Sequence, residues 1–151
     1  MADFEPLRAG LEQAVPFNQH LGLEIEEVAV GRGVVRLPDD GQLRNHTGTH
    51  HASALFAAGQ AASGAAIAVA FVDELPSLEL LPQDSKITYN KVARGPILAT
   101  GVLGSDPQAL LDELGREGCV EFTVDVSLTD GAKDTVATLT VRWLVRQSQE
   151  N

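Results

Sequence analysis

"NHTGTHHASALFAAGQAASG", Asn45–Gly64, opens with polar residues and turns into an almost uncharged run that continues to Val72. The run is rich in alanine, poor in β-branched residues and too long for a strand, so it reads as a helix from about His51 to Val72. Its apolar residues fall on nearly every face, which predicts a helix buried on most sides. Gly59 and Gly64 each cost about 1 kcal/mol in helix propensity relative to alanine, so close packing or a ligand is the expected reason for them. The single amide of Gln60 stands in the middle of the run, fifteen positions after Asn45.

Outward from this helix the periodicity changes. Leu7, Leu11 and Val15 share one helical side before Pro16, giving an N-terminal helix at about 5–15. "LEIEEVAVG" alternates as a strand, Gly31 and Gly33 mark a turn, and "GVVRLP" is a second strand. "ELPSLELLPQD", with two prolines, reads as a loop, and "SKITYNKVARG" and "PILATGVLGS" as strands. In "DPQALLDELGREG", Asp106 is a helix cap, Pro107 the first helical residue and glycine the stop. "CVEFTVDVSLTDG" and "DTVATLTVRWLVR" alternate about Asp130-Gly131 as a hairpin. The expected fold is α+β: an antiparallel sheet of five to six strands wrapped around one long buried helix, in a single domain spanning 1–151 with its core at about 17–146. Such a sheet keeps an open edge, and pairing with a second copy is the usual answer, so a homodimer is expected.

The formal net charge of −10 disfavours a nucleic-acid surface and an anionic lipid surface alike. The N-terminus carries acids early and lacks a secretory h-region. Ala52–Val72 is long enough to span a bilayer, but it is built on alanine and glycine and is followed by Asp73 and Glu74, so no membrane span is expected. The single Cys119 forms no internal disulfide, fits a cytoplasmic setting, and on its strand reads as a small core residue.

The frame Gly48-Thr49-His50-His51-Ala52-Ser53-Ala54-Leu55-Phe56, ending in Ala62-Ser63-Gly64, resembles the hotdog-fold thioesterases, in particular the branch around phenylacetyl-CoA thioesterase and its DUF4442-type relatives. The resemblance extends to "ITYNKVARGPILATG" and the last hairpin, covering roughly residues 17–146. It implies a thioester hydrolase acting on acyl-CoA, with coenzyme A part of the substrate and no further cofactor, working as a homodimer or a dimer of dimers. By the same resemblance Asn45 is the site asparagine, and the backbone amide of Ala52, aided by Ser53, binds the oxyanion. Gln60 occupies the place where relatives carry Asp or Glu as base or nucleophile. A carboxamide does neither job. What is retained is a helix start whose free N–H groups favour a developing negative charge.

The residues also admit plainer roles. Gln60 can be a hydrogen-bonded residue pinning the helix, and Asn45 a turn residue satisfying its own backbone. His46 and His50 are four apart, but no cysteine or carboxylate cluster completes a metal shell, so no metal is expected. His50 or His51 can supply the missing base or simply pack at the helix start. Ser63 shares a face with Gln60 and can contact substrate or bond a carbonyl one turn back. Phe56 and Tyr89 suit an acyl tunnel or the core. Lys86, Lys91 and Arg94 suit the phosphates of coenzyme A or ordinary surface charge. No Ser-His-Asp order or nucleophile elbow is present. The competing function classes are a non-catalytic acyl-CoA or fatty-ligand binder and, less well supplied, a dehydratase, which would want an acid facing a histidine.

Overall fold

A computed structural model describes residues 3–149. The chain runs α1 (Glu5–Ala14), α2 (Pro16–His20), β1 (Glu24–Ala29), β2 (Arg32–Leu37), α3 (Ala52–Ala68), β3 (Leu78–Tyr89), β4 (Ile97–Leu103), α4 (Pro107–Glu117), β5 (Cys119–Thr129) and β6 (Thr135–Gln147). Six antiparallel strands form one sheet in the order β1-β2-β4-β5-β6-β3, wrapped about α3. This is the hotdog arrangement.

His51 starts α3: its Nδ1 accepts the Ser53 amide at 2.9 Å. Most of α3 is buried, and only Ala52 and Ser53 at its start and Phe56, Gln60, Ala61 and Gly64 retain appreciable exposure. The helix ends at Ala68, four residues short of the expected Val72. Val69, Ala70 and Phe71 remain buried but lie in turns, with the Val72 amide donating to Val69 O. The apolar run therefore encodes burial, and burial outlasts the helix. Ile67 and Phe71 are each fully buried, contributing about 1.5–3 kcal/mol apiece.

Four further sequence expectations change. Residues 78–84, expected in a loop, begin β3: this is an edge strand, and Pro82 sits where the register slips between Pro82 and Asp84, so a missing N–H is tolerated. The strand expected to run on to Gly95 ends at Tyr89. Cys119 is exposed, because the alternation of β5 turns Val120, Phe122 and Val124 inward and Cys119 outward. Gly33 also lies within β2, leaving Gly31, at φ +72°, as the turn residue. In α4, Asp106 caps the Ala109 amide and Gly118, at φ +76°, closes the helix as expected.

Candidate functional site

Residues 45–50 form a tight loop organised by one side chain. Asn45 Oδ1 accepts the Thr47 amide at 3.0 Å and the Thr49 amide at 3.1 Å, while its Nδ2 donates to Thr49 Oγ1 at 2.9 Å and to His50 O at 3.3 Å. Both ends of the amide are engaged in shaping the approach to α3. His50 is buried; its amide donates to Ala93 O and its Nε2–H to Gly95 O, fastening the 93–95 loop beside the helix start. That geometry leaves Nδ1 as the unprotonated nitrogen, and it is buried without a partner among the described residues.

The Ala54 and Leu55 amides donate to His51 O and the Ser53 amide to His51 Nδ1. Among the described residues the Ala52 amide has no hydrogen-bond partner. It is the one first-turn donor left over, in the place where a helix dipole favours an anion. The Tyr89 hydroxyl donates to Ala52 O at 3.1 Å, tying the end of β3 to the same turn. The basic lone pair of His51 is already used by the cap, so this histidine can act as a base only by giving up the cap.

A cavity of about 700 Å³ runs along the less buried face of α3. Ser53, Phe56, Gln60, Gly64 and Ala68 recur on its wall at helical spacing; the strap from Leu11 to Asn18 makes the second wall, and Leu80, Tyr89 and Trp143 the third. Tyrosine apart, no ionisable side chain among the described residues lines it. The Gln60 side chain makes no hydrogen bond among the described residues and faces this space half-buried. Its backbone carbonyl accepts Ser63 Oγ at 2.7 Å, and Ser63 in turn accepts Trp143 Nε1–H at 3.2 Å. Ser63 therefore satisfies the indole rather than lining the cavity, so Trp143 presents only apolar ring to it. Gly64 leaves that ring uncovered: an added Cβ would sit 3.8 Å from it. Gly59, by contrast, is a packing glycine, with Leu139 pressed to 2.6 Å of an added Cβ.

The site residues named from the sequence thus separate. Ser53, Phe56, Gln60, Gly64 and Tyr89 line the cavity; Ala52 and His51 stand at its helix-start end; Asn45, His50, Ser63, Lys91 and Arg94 lie outside its lining. Ala52 and Gln60 are eight residues apart on one helix, or about 12 Å at the helical rise. Within one chain they cannot touch the same carbonyl. Lys91 is engaged by Asp134 at 2.8 Å and Asp130 at 3.4 Å, and these partners raise its pKa, the Asp134 hydrogen bond most. Arg94 and Lys86 are exposed and without an ion pair among the described residues. Neither Trp143 nor Leu11 was named from the sequence as a site residue. The signal for Trp143 was there, as the lone tryptophan on an inward position of an alternating strand.

Among the described residues no group of three or more His, Cys, Asp or Glu could hold a metal ion, and no helix is long and apolar enough to cross a membrane.

A family model described as a domain of unknown function, DUF4442, matches residues 5–145. Among curated proteins none matches the chain. Of solved structures, a Pseudomonas aeruginosa protein of unknown function, described as a probable thioesterase, is 25% identical, covers 97% of each chain and has a TM-score of 0.85. A Chlorobaculum tepidum protein of unknown function is 15% identical over 95% of this chain and 94% of its own, with a TM-score of 0.84. A mutant of a Staphylococcus aureus thioesterase enzyme is 13% identical over 87% of this chain and 99% of its own, with a TM-score of 0.72. With the family match spanning nearly the whole chain, and the hotdog sheet around α3 shared with these structures, the protein belongs to the DUF4442 family, in the thioesterase-like branch of the hotdog superfamily.

Proposed function

We propose that this protein hydrolyses acyl-CoA thioesters. Water adds to the thioester carbonyl, the C–S bond breaks, and the products are a carboxylic acid and coenzyme A thiol. The observation that carries this reading is the cavity along α3, free of Lys, Arg, His, Asp and Glu among the described residues, with Gln60 the one amide on its helix wall, part-way down it. An acyl chain fits such a lining, while the charged nucleotide must stay outside, where Arg94 and Lys86 are exposed cations without an ion pair among the described residues of an acidic chain.

The separation of about 12 Å between the Ala52 amide and Gln60 implies that the reacting centre is shared. In a homodimer joined through the free edge of β3, the helix start of one copy meets the Gln60 of the other. There the Ala52 amide polarises the carbonyl and Gln60 orients the attacking water. A dimer of dimers is compatible with the same site, and a cytoplasmic setting is where an acyl-CoA pool would meet it. Thiol release from acyl-CoA by the purified protein is the direct test, with light scattering on the same sample; a well-folded monomer with full activity would remove the shared site.

A second reading, a non-catalytic acyl-CoA binder, is favoured by one observation: among the described residues neither a carboxylate nor a histidine lines the cavity. Saturable binding of intact acyl-CoA without thiol release would select it.

A further inference from the structure

We propose that Leu11 of α1 sets the length of acyl chain this protein accepts, and that the chain is one of about ten carbons. The inference rests on the reading of the cavity along α3 as the acyl pocket. If the thioester carbonyl lies beside Gln60, the one side-chain amide on the α3 wall, the tail is left with the wall from Gln60 to Ala68. That is eight residues, about 12 Å at the helical rise. A fully extended chain covers about 3.3–3.6 Å per three bonds, so this length holds about ten bonds.

Apolar side chains line the far end. Leu11 belongs to one packed cluster with Ala65 and Val69, and Leu11 and Ala65 also line the cavity. Among the described residues no charged group lies along the lining, so a charged tail finds no partner there.

The position of Leu11 is fixed by a polar clasp. Arg8 Nη1 donates to Ile25 O at 3.0 Å, and Glu12 Oε2 accepts the Ile25 amide at 2.8 Å, so the two side chains flanking Leu11 complete the backbone bonding of β1 at its open edge. Arg8 also donates to Glu12 at 3.1 Å, holding the pair in one arrangement. The helix is thereby pinned in register against the sheet, with Leu11 between its two anchors and turned toward Ala65.

Trp143 provides the readout, because it is the only tryptophan and it lines the cavity. Its fluorescence is titrated with S-alkyl coenzyme A thioethers of four to sixteen carbons, which cannot be hydrolysed. In the wild type, affinity is expected to rise about fourfold per methylene, as burial of each CH₂ predicts, and to stop rising near ten carbons. Leu11→Ala is expected to move that break to longer chains by two or more carbons, and Leu11→Trp to shorter ones, read in that variant by calorimetry since it adds a second indole. Leu11→Phe replaces Leu11→Trp should the latter fail to fold by circular dichroism. A break that stays in place in both folded variants, or affinity indifferent to chain length, overturns the proposal. Absence of thiol release with the break present and shifted leaves it standing and removes only the hydrolase reading.

Discussion

Gly33 of β2 and Gly101 of β4 stand directly opposite one another in the antiparallel pair, and both press on the backbone of α3. A Cβ on Gly33 would lie 2.6 Å from the Ala66 nitrogen, and one on Gly101 2.6 Å from the Ala62 carbonyl oxygen. The two bare positions form the seat on which the helix rests. Gly33→Ala and Gly101→Ala should each destabilise the protein by roughly 1–3 kcal/mol, because backbone rather than a flexible side chain must give way. Gly10→Ala, on exposed helix α1 with open space around it, should instead stabilise by about 0.5–1 kcal/mol. Urea midpoints of the three variants check the contrast.

Ser63→Ala removes the acceptor of the buried Trp143 Nε1–H. Leaving that donor unpaired should cost about 1–3 kcal/mol and loosen the indole in the cavity wall. The expected signature is a lower urea midpoint together with a changed Trp143 emission maximum. A Ser63→Cys variant, which keeps a weak acceptor, should fall between.

His51 holds its helix by side-chain acceptance of the Ser53 amide. His51→Ala should cost roughly 0.5–2 kcal/mol, and His51→Asp, a stronger cap, should recover that loss in a denaturant titration. Recovery of turnover as well as stability by His51→Asn, which also caps a helix but carries no basic side chain, would rule the imidazole out as the catalytic base.

The sequence made α3, its start and the final hairpin legible because their signals are local: a polar approach, an alanine-rich run, strict alternation. Gln60 was visible as a lone amide on an apolar helix, and it faces the cavity. The partners it shares that cavity with were not visible. Leu11, Leu80 and Trp143 come from three distant segments and are ordinary core types, so only the wrapped sheet brings them together. Asn45 carried two readings, a site residue by its place in the motif and a turn residue bonding its own backbone, and the hydrogen bonds within the loop of residues 45–50 are of the second kind. β3 was hidden at its first half by Pro82, whose missing donor is harmless only on an edge.

Acid should open the β5–β6 hairpin at its tip first. Asp130 has its pKa held below the usual carboxylate value, chiefly by the Asp134 amide and further by Lys91 and the Ala132 amide. A lowered folded value means that the ionised carboxylate stabilises the turn. That contribution is present above the ordinary aspartate range and is lost as pH falls through the lowered value. Hydrogen exchange at Ala132 and Asp134 should therefore accelerate on acidification beyond the intrinsic pH trend, and Asp130→Asn should show the accelerated rate already at neutral pH.

Gln60→Glu is the decisive substitution for the reaction. The wild-type carboxamide can orient water but cannot take its proton, so turnover by the purified protein should be slow. A carboxylate of the same length, in the same half-buried place, can act as general base or attack the carbonyl directly, and base assistance is typically worth about 10²–10⁴-fold. The cavity lining offers no cation to the introduced carboxyl, so burial should push its pKa above the usual glutamate range. Its conjugate base is the active form, and the gain in kcat should appear as pH rises through that elevated value and level off beyond it. Gln60→Ala should lose even the slow wild-type rate while still binding S-alkyl coenzyme A. A folded, ligand-binding Gln60→Glu variant with no gain at any pH would place the base elsewhere or the protein among the binders. His50→Ala divides those two outcomes: His50 Nδ1 is a buried lone pair with no partner among the described residues. If it serves as the base, its removal abolishes wild-type thiol release with Gln60 untouched.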